Sequence, residues 1–474
     1  MNEGIKTDLY QLTMAQGYFD NGTHERNAIF NLYFRKCPFG GNYSIASGLN
    51  TAINYLENFS FTTEDIKYLK SRIGNNGEPL FSEPFLNYLL NMDFSCDVSG
   101  VEEGSVVFAN QPILKIEGPI YQCQLIETSL LHIMNFETLI TTKAARVVKE
   151  ANGDTVVELG YRRAQYPLLA SRSAFLGGVH ATSNVEAGMT FDMPIKGTMA
   201  HSWIMSFSDE LTAFRAYAKS MPHNCIFLVD TYDTIQGVKN AIIVGEEMRK
   251  DGYEMIGIRL DSGDLAKLSI EARLLLDKAN FKDAKIVASN DLDEFAIKEL
   301  KHLGAKIDTW GIGTKLVTGG SQPALGGVYK LAAMEDEYGV YHYKMKLGSA
   351  VKESFPGNVQ VKRIFKEGKH IGDYMYDTVR IAQQGLFFDV EADQWIDDHD
   401  LSTDTYYSED LLVPIYFQGK LAYKPRKLAH SRALSIAEKA KFDFEDPKYS
   451  TGKILLENSY AEMRESIKRS GSQG

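Results

Sequence analysis

Cysteine is scarce in this chain. Its four residues, Cys37, Cys96, Cys123 and Cys225, show neither the paired spacing of a zinc site nor the density of a disulfide scaffold. They read as reduced thiols of a cytosolic protein. Long apolar runs are missing too: no stretch approaches the ~18 uninterrupted apolar residues of a membrane span. The N-terminus, MNEGIKTD, has no basic patch followed by an apolar core. The expectation is a soluble, cytoplasmic chain with no membrane partner. Positive charge is also in deficit. Against 62 acidic residues stand 51 basic ones, a formal net charge of -11, so no basic footprint marks a nucleic-acid partner.

What is present is a large apolar fraction. At 474 residues and 44% hydrophobic, the chain exceeds one core and predicts two or three structural units. Low-complexity linkers are absent, and only the tail SIKRSGSQG, 466–474, has a disordered composition. Near the N-terminus TDLYQLTMAQGYF reads as a capped helix. AIFNLYFRK then alternates as a strand, with Ala28, Phe30, Leu32 and Phe34 on one face. Short runs between 98 and 119, punctuated by Gly and Pro, predict antiparallel strands.

The rhythm changes after a long helical stretch, QLIETSLLHIMNFETLITTKAARVV. Apolar runs at 226–230, 255–260, 285–289 and 307–311 are separated by amphipathic helices, which predicts consecutive βα units and a parallel sheet. The segments DTYDT, DSGD, SNDLD and GIGT each follow the C-terminal end of a strand. Active sites assemble at that edge in a βα barrel, and an open doubly wound sheet obeys the same rule. The last third returns to antiparallel signals, including LLVPIYFQGKLAY with a Gln-Gly turn. A helix over SRALSIAEKAKF follows.

Several residues at these ends carry chemistry. In RLDSGDL, Asp261 can hold ribose hydroxyls or a magnesium ion, whereas Asp264 reads as a helix cap. Gly311, Gly313 and Thr314 of GIGTKLVTGG let backbone amides approach a phosphate, although the segment has neither Walker nor GxGxxG spacing. ELGYRRAQ brings Arg162 and Arg163 together for carboxylate or phosphate recognition, with two solvated arginines as the plainer reading. In GTMAHSWIMSF, a strand would put His201 on one face with Met199, Trp203 and Met205, as a core histidine or a catalytic one.

Taken in order, TDLYQLTMAQGYF, ETLITTKAAR, ELGYRRAQ, GTMAHSWIMSF, LVDTYDT, RLDSGDL and GIGTKLVTGG resemble the nicotinate phosphoribosyltransferase family over nearly the whole chain. The resemblance implies an irregular βα barrel of the type II phosphoribosyltransferase kind, packed against an α+β open sandwich. The expected division is 1–130 and 346–474 for the sandwich and 131–345 for the barrel. It further implies transfer of phosphoribose from phosphoribosyl pyrophosphate to nicotinate, giving nicotinate mononucleotide and pyrophosphate for NAD synthesis. Magnesium would be required, ATP would be a co-substrate, and active sites would be shared across a homodimer.

On this resemblance His201 is the histidine phosphorylated by ATP, and Asp261 binds ribose hydroxyls. Gly313, Thr314, Ser289 and Asn290 hold the 5-phosphate. Arg162 faces the pyridine carboxylate or pyrophosphate, Thr198 lines the base pocket, and Tyr10 stacks on the ring from the neighbouring subunit. The related nicotinamide enzymes carry an aspartate where HATSNV has Ser183. A carboxylate ~4 Å from a substrate carboxylate costs roughly 4 kcal/mol at an effective dielectric near 20, so Ser183 favours the acid over the amide. One departure is Asn358 in PGNVQVKR, where the family pattern has a basic residue. Outside this family, a non-catalytic phosphometabolite-binding barrel or a sugar-phosphate isomerase or aldolase would use the same strand ends. An aldolase needs a Schiff-base lysine there, and none of these segments ends in one.

Overall fold

The structure is a computed structural model and describes residues 2–347, 353–379, 386–389, 394–397, 405–442, 444 and 455–471. The chain divides into two compact units, 1–139 with 324–474, and 140–323. These limits differ from the expected 130/131 and 345/346. GGVYKLAAM and VYHYKMKL read as antiparallel strands in the sequence, although the expected limit of 345 leaves them on the barrel side; as Gly327–Glu335 and Tyr341–Tyr343 they pair in the sheet of the first unit. Antiparallel pairing explains the difference: Gly327–Glu335 runs against Asn27–Phe34 in unbroken register apart from one bulge.

The second unit carries a six-stranded sheet, paired in parallel throughout. Its strands are β1 (Thr155–Glu158), β2 (Ala181–Thr182), β3 (Ile226–Leu228), β4 (Gly257–Leu260), β5 (Lys285–Ala288) and β6 (Thr309–Ile312). The spatial order is β2-β1-β6-β5-β4-β3. Pairing of the first strand with the last is what closure of a barrel requires, and it removes the open doubly wound alternative. The ring is irregular because β2 and β3 do not pair. A single parallel bridge, Thr182 to Ile195, extends the β2 edge.

Alternation then sorts the strand residues. Ile258, Ile286, Trp310 and Ile312 are essentially fully buried on the outer face, where the strands contact the helices Thr234–Lys250 and Leu265–Lys278. The inward positions are Thr155 and Val157 of β1, Ile226 of β3, Arg259 of β4, Lys285 and Val287 of β5, and Thr309 and Gly311 of β6. An ordinary barrel fills this space with bulky branched side chains. Here Thr155, Thr309 and Gly311 are small, and a cavity of about 450 Å³ remains. Gly311 matters to that room, since a Cβ there would lie 2.6 Å from Leu159 Cδ1.

The first unit is built on a seven-stranded antiparallel sheet with Asn27–Phe34 inside it. Both faces of that strand are buried. Ala28, Phe30, Leu32 and Phe34 enter the main core, as alternation predicts, while Ile29 and Tyr33 join two smaller clusters. The Gln-Gly turn closes the hairpin Leu412–Phe417 with Lys420–Leu421, both turn residues at positive φ (47° and 72°). The helix Asn458–Gly471 runs into the tail judged disordered from composition. Lys468 pairs with Glu353 and Glu465, and Ile467 packs on the Tyr33 cluster. Asn358 bonds Glu117 and Lys115, and the neighbouring Arg363 is wholly buried against Asp373. Both residues of the 356–363 segment therefore have structural partners. Among the described residues, no helix is long and apolar enough to cross a membrane.

Candidate active site

Thr198, Asp261 and Ser289 meet in one hydrogen-bonded cluster joined by Arg259, and His201 stands beside it, 3.6 Å from Asp261. Asp261 directly follows β4, Ser289 directly follows β5, and both therefore emerge at the C-terminal edge of the sheet. From within β4 the Arg259 guanidinium turns inward and divides its donors. Nε donates to Ser289 Oγ at 2.9 Å, and Nη1 donates to Thr198 Oγ1 at 3.0 Å and the Met199 carbonyl at 3.4 Å. Nη2 donates to Asp261 Oδ1 at 3.0 Å, and the Ser289 hydroxyl donates to the same oxygen. Sequence reading missed Arg259. The available signal was a charged residue at an inward position of an otherwise apolar strand, where barrel packing calls for a hydrophobe.

Burial alone would raise the Asp261 carboxyl. The Ser289 hydrogen bond, the Arg259 charge and His201 outweigh it and hold the group below the usual carboxylate range. Asp261 is thus an anion fixed at the C-terminal edge of the sheet, bonded to the Arg259 guanidinium that lines the cavity. Behind it, Asp230 Oδ2 accepts from the Asp261 amide at 3.1 Å and the Ser262 hydroxyl at 2.5 Å. The other oxygen, Oδ1, is buried with no hydrogen-bond partner among the described residues.

His201 does not sit in a strand. It opens the short helix His201–Met205, so Met199, Trp203 and Met205 do not share a strand face with it. The reason is the gap in the ring between β2 and β3. There Lys196, Gly197 and Thr198 line the cavity without belonging to the sheet, and a short apolar stretch carries too few periods to separate helix from strand. The ring is 41% exposed, which excludes the core-histidine reading. Its Nδ1 lies 3.1 Å from Thr231 Oγ1 and its Nε2 lies 3.6 Å from Asp261 Oδ2. Both ring nitrogens therefore look toward groups at the strand ends, while much of the side chain stays accessible.

The other predicted residues of the second unit lie on turns around the same edge, with no direct bond to the cluster among the described residues. Arg162 and Arg163 occupy an exposed 3-10 turn, Tyr161–Arg163, after β1. Ser183 follows β2, its amide donating to the Glu158 carbonyl at 2.9 Å. Asn290 is exposed and holds φ at 103°, with Asp291 at 43°, a strained pair directly after Ser289. Gly313 precedes the four-residue helix Thr314–Val317. Asp264 caps the helix Leu265–Lys278 through the Lys267 amide at 3.1 Å, the structural role expected of it. Tyr10 belongs to the first unit, on the helix Leu9–Asp20, where it is 48% exposed beside Leu9 and Met14. Burial and the Glu127 charge raise its hydroxyl pKa. All four cysteines are free thiols.

Among the described residues no group of three or more His, Cys, Asp and Glu could cage a metal. A cation here would have to draw ligands from a substrate.

Residues 5–135 match the family model described as nicotinate phosphoribosyltransferase (NAPRTase) N-terminal domain. The chain is 44% identical to the nicotinate phosphoribosyltransferase of Bacillus subtilis over 429 residues, 89% of this chain and 85% of the relative. To that of Dictyostelium discoideum it is 39% identical over 434 residues, 80% of this chain and 72% of the relative. The crystal structure of human nicotinic acid phosphoribosyltransferase superposes with a TM-score of 0.81 at 29% identity, covering 97% of this chain and 99% of that one. A Pyrococcus furiosus nicotinate-nucleotide pyrophosphorylase shares the fold, with a TM-score of 0.69 at 20% identity. With the ring order and the strand-end cluster already in place, identity of this extent means that the chain belongs to the nicotinate phosphoribosyltransferase family.

Proposed function

We propose that the protein joins nicotinate to phosphoribosyl pyrophosphate, releasing pyrophosphate and nicotinate mononucleotide, and couples the transfer to ATP hydrolysis through phosphorylation of His201. The observation that carries this reading is the Arg259 cluster. Arg259 and Thr198 line a cavity of about 450 Å³, room enough for a pyridine ring, and on the strand-end side of Arg259 stand a fixed carboxylate and a partly exposed imidazole.

In this reading Arg259 and Thr198 receive the pyridine carboxylate, and Ser183 leaves the approach free of negative charge. Cleavage of the bond between ribose and pyrophosphate builds positive charge on the sugar, and the Asp261 anion stabilises it while binding the ribose hydroxyls. The ring nitrogen attacks the anomeric carbon directly, so no general base is needed and positioning supplies most of the acceleration. Ser289, Asn290, Gly313 and Thr314 hold the 5-phosphate, and Arg162 meets the pyrophosphate or the carboxylate. His201 accepts a phosphoryl group from ATP as a neutral imidazole; the nearby Asp261 carboxylate and Thr231 hydroxyl orient it.

Magnesium fits the donors present: Asp230 and Asp261 offer hard oxygen ligands, and Asp230 Oδ1 is buried without a partner. When bound with substrate pyrophosphate it would neutralise leaving-group charge. The same reading carries a cytoplasmic homodimer in which Tyr10, exposed beside Leu9 and Met14, stacks on the ring in the neighbouring copy.

The test is mononucleotide formation followed by chromatography, with phosphoribosyl pyrophosphate and magnesium, offering nicotinate and nicotinamide separately, with and without ATP. Product from nicotinate that rises with ATP is the expected result. Product mainly from nicotinamide would transfer the assignment to the amide enzyme, and no product from either would leave a phosphometabolite-binding barrel.

A further inference from the structure

Glu158 ends β1 and is completely buried, yet no ion pair to it exists among the described residues. Three donors converge on its carboxylate. Oε1 accepts from the Gly160 amide, and Oε2 accepts from Ser171 Oγ at 2.8 Å and Thr182 Oγ1 at 2.6 Å. Asn184 braces both hydroxyls: its amide donates to Thr182 Oγ1 at 2.9 Å and its Nδ2 donates to Ser171 Oγ at 3.1 Å. Ser171 also lies 3.0 Å from the Pro167 carbonyl.

The consequences reach two turns at the edge where the candidate site lies. Gly160 opens the turn that carries Arg162, with Arg163 N donating to the Gly160 carbonyl at 2.8 Å. Thr182 immediately precedes Ser183, whose amide is held by the Glu158 carbonyl at 2.9 Å. Asn184, tied to the same hub, caps the helix Val185–Phe191 through the Ala187 amide. One residue thus fixes the Arg162 turn through its side chain and the Ser183 turn through both side chain and main chain.

We infer that Glu158 is the positioning residue that holds the Arg162 and Ser183 turns in register, and that it thereby sets the preference for a pyridine carboxylate. The inference rests on the nicotinate reading given above and concerns a residue that does not itself touch substrate. Its signature is a split between kinetic constants: the inference places Arg162 at the pyridine carboxylate rather than the pyrophosphate, with Ser183 on the same side, while Asp261, Ser289 and Gly313 serve the sugar phosphate.

The experiment compares wild type, Glu158→Ala, Glu158→Gln and Thr182→Val, measuring KM for nicotinate, KM for phosphoribosyl pyrophosphate, kcat and the unfolding midpoint. In Glu158→Ala the nicotinate KM should rise about tenfold or more, with the other constants within about threefold of wild type. Glu158→Gln keeps an acceptor for the Gly160 amide and should return the nicotinate KM to within about threefold. If Glu158→Ala does not fold, Thr182→Val, which removes one arm and keeps the shape, is judged by the same split. An unchanged nicotinate KM in a folded variant overturns the role of Glu158, as does a parallel decline of every constant with the unfolding midpoint. A wild-type chain that makes no mononucleotide overturns instead the reading on which this rests.

Discussion

Arg259 and Asp261 sit two residues apart on one strand end, and the guanidinium Nη2 meets the Asp261 carboxylate at 3.0 Å. The pair shares its third partner, since Ser289 accepts from Arg259 and donates to Asp261. The base side and the sugar side of the proposed reaction are therefore mechanically joined through side chains of β4 and β5.

Arg259→Lys should retain charge and lose function. A lysine cannot divide donors among Thr198, Ser289 and Asp261 as the planar fork does. The nicotinate kcat/KM should fall about 100-fold or more, a loss of roughly 3 kcal/mol in transition-state binding. Steady-state kinetics with nicotinate varied, beside a thermal melt, checks this; a drop under threefold in a folded variant would remove Arg259 from carboxylate recognition.

His201→Ala should abolish stimulation by ATP and leave the ATP-independent rate in place. Labelled γ-phosphate should become bound to the wild-type chain in an acid-labile, base-stable form and not to the variant. Persistence of full ATP stimulation in His201→Ala would disprove the coupling role.

Ser183→Asp should turn preference from acid to amide. Placing a carboxylate ~4 Å from the nicotinate carboxylate costs roughly 4 kcal/mol at an effective dielectric near 20. The ratio of nicotinate to nicotinamide kcat/KM should fall on the order of 100- to 1000-fold. Competition between the two bases in one reaction reads the ratio directly.

Asp261 predicts the acid side of the stability profile. Its carboxyl lies below the ordinary value of 3.8 because Ser289, Arg259 and His201 outweigh burial. A depressed folded-state pKa means that the unfolded chain binds the proton more readily. The group's contribution is then fully present above the unfolded value and is lost as pH falls through the folded one. Asp261→Asn should therefore show a shallower loss of stability below about pH 4 than wild type. Urea midpoints measured from pH 3 to pH 7 for both chains test this, and parallel curves would exclude Asp261 as a contributor.

Legibility in the sequence varied with what each position depends on. The strands of the second unit were readable because runs such as KIVAS and IDTWG are short, apolar and bounded by polar turns, a local property. Barrel closure was not readable locally, since β1 and β6 lie far apart in sequence and only their pairing decides it. Asp264 declared its capping role by position, whereas Arg259 looked like one charged residue in MIGIRL until the inward face was known. His201 was misplaced in a strand because the ring gap that makes it helical is a tertiary fact. The helical end of the chain was hidden for a similar reason: Lys468 and Ile467 are stabilised by Glu353 and the Tyr33 cluster, more than 100 positions away.

The unfilled lumen has a consequence for how this protein can be improved. Thr155, Thr309 and Gly311 leave about 450 Å³ where larger apolar side chains would pack and stabilise the fold. Selection or design for heat resistance alone would tend to plug that space, because each added methylene in contact gains stability. In the proposed reaction the pyridine ring lies against Arg259 and Thr198, which line this space, so thermal robustness and turnover would be opposed at neighbouring inward positions, and a variant hardened there should be a stable protein with reduced room for nicotinate.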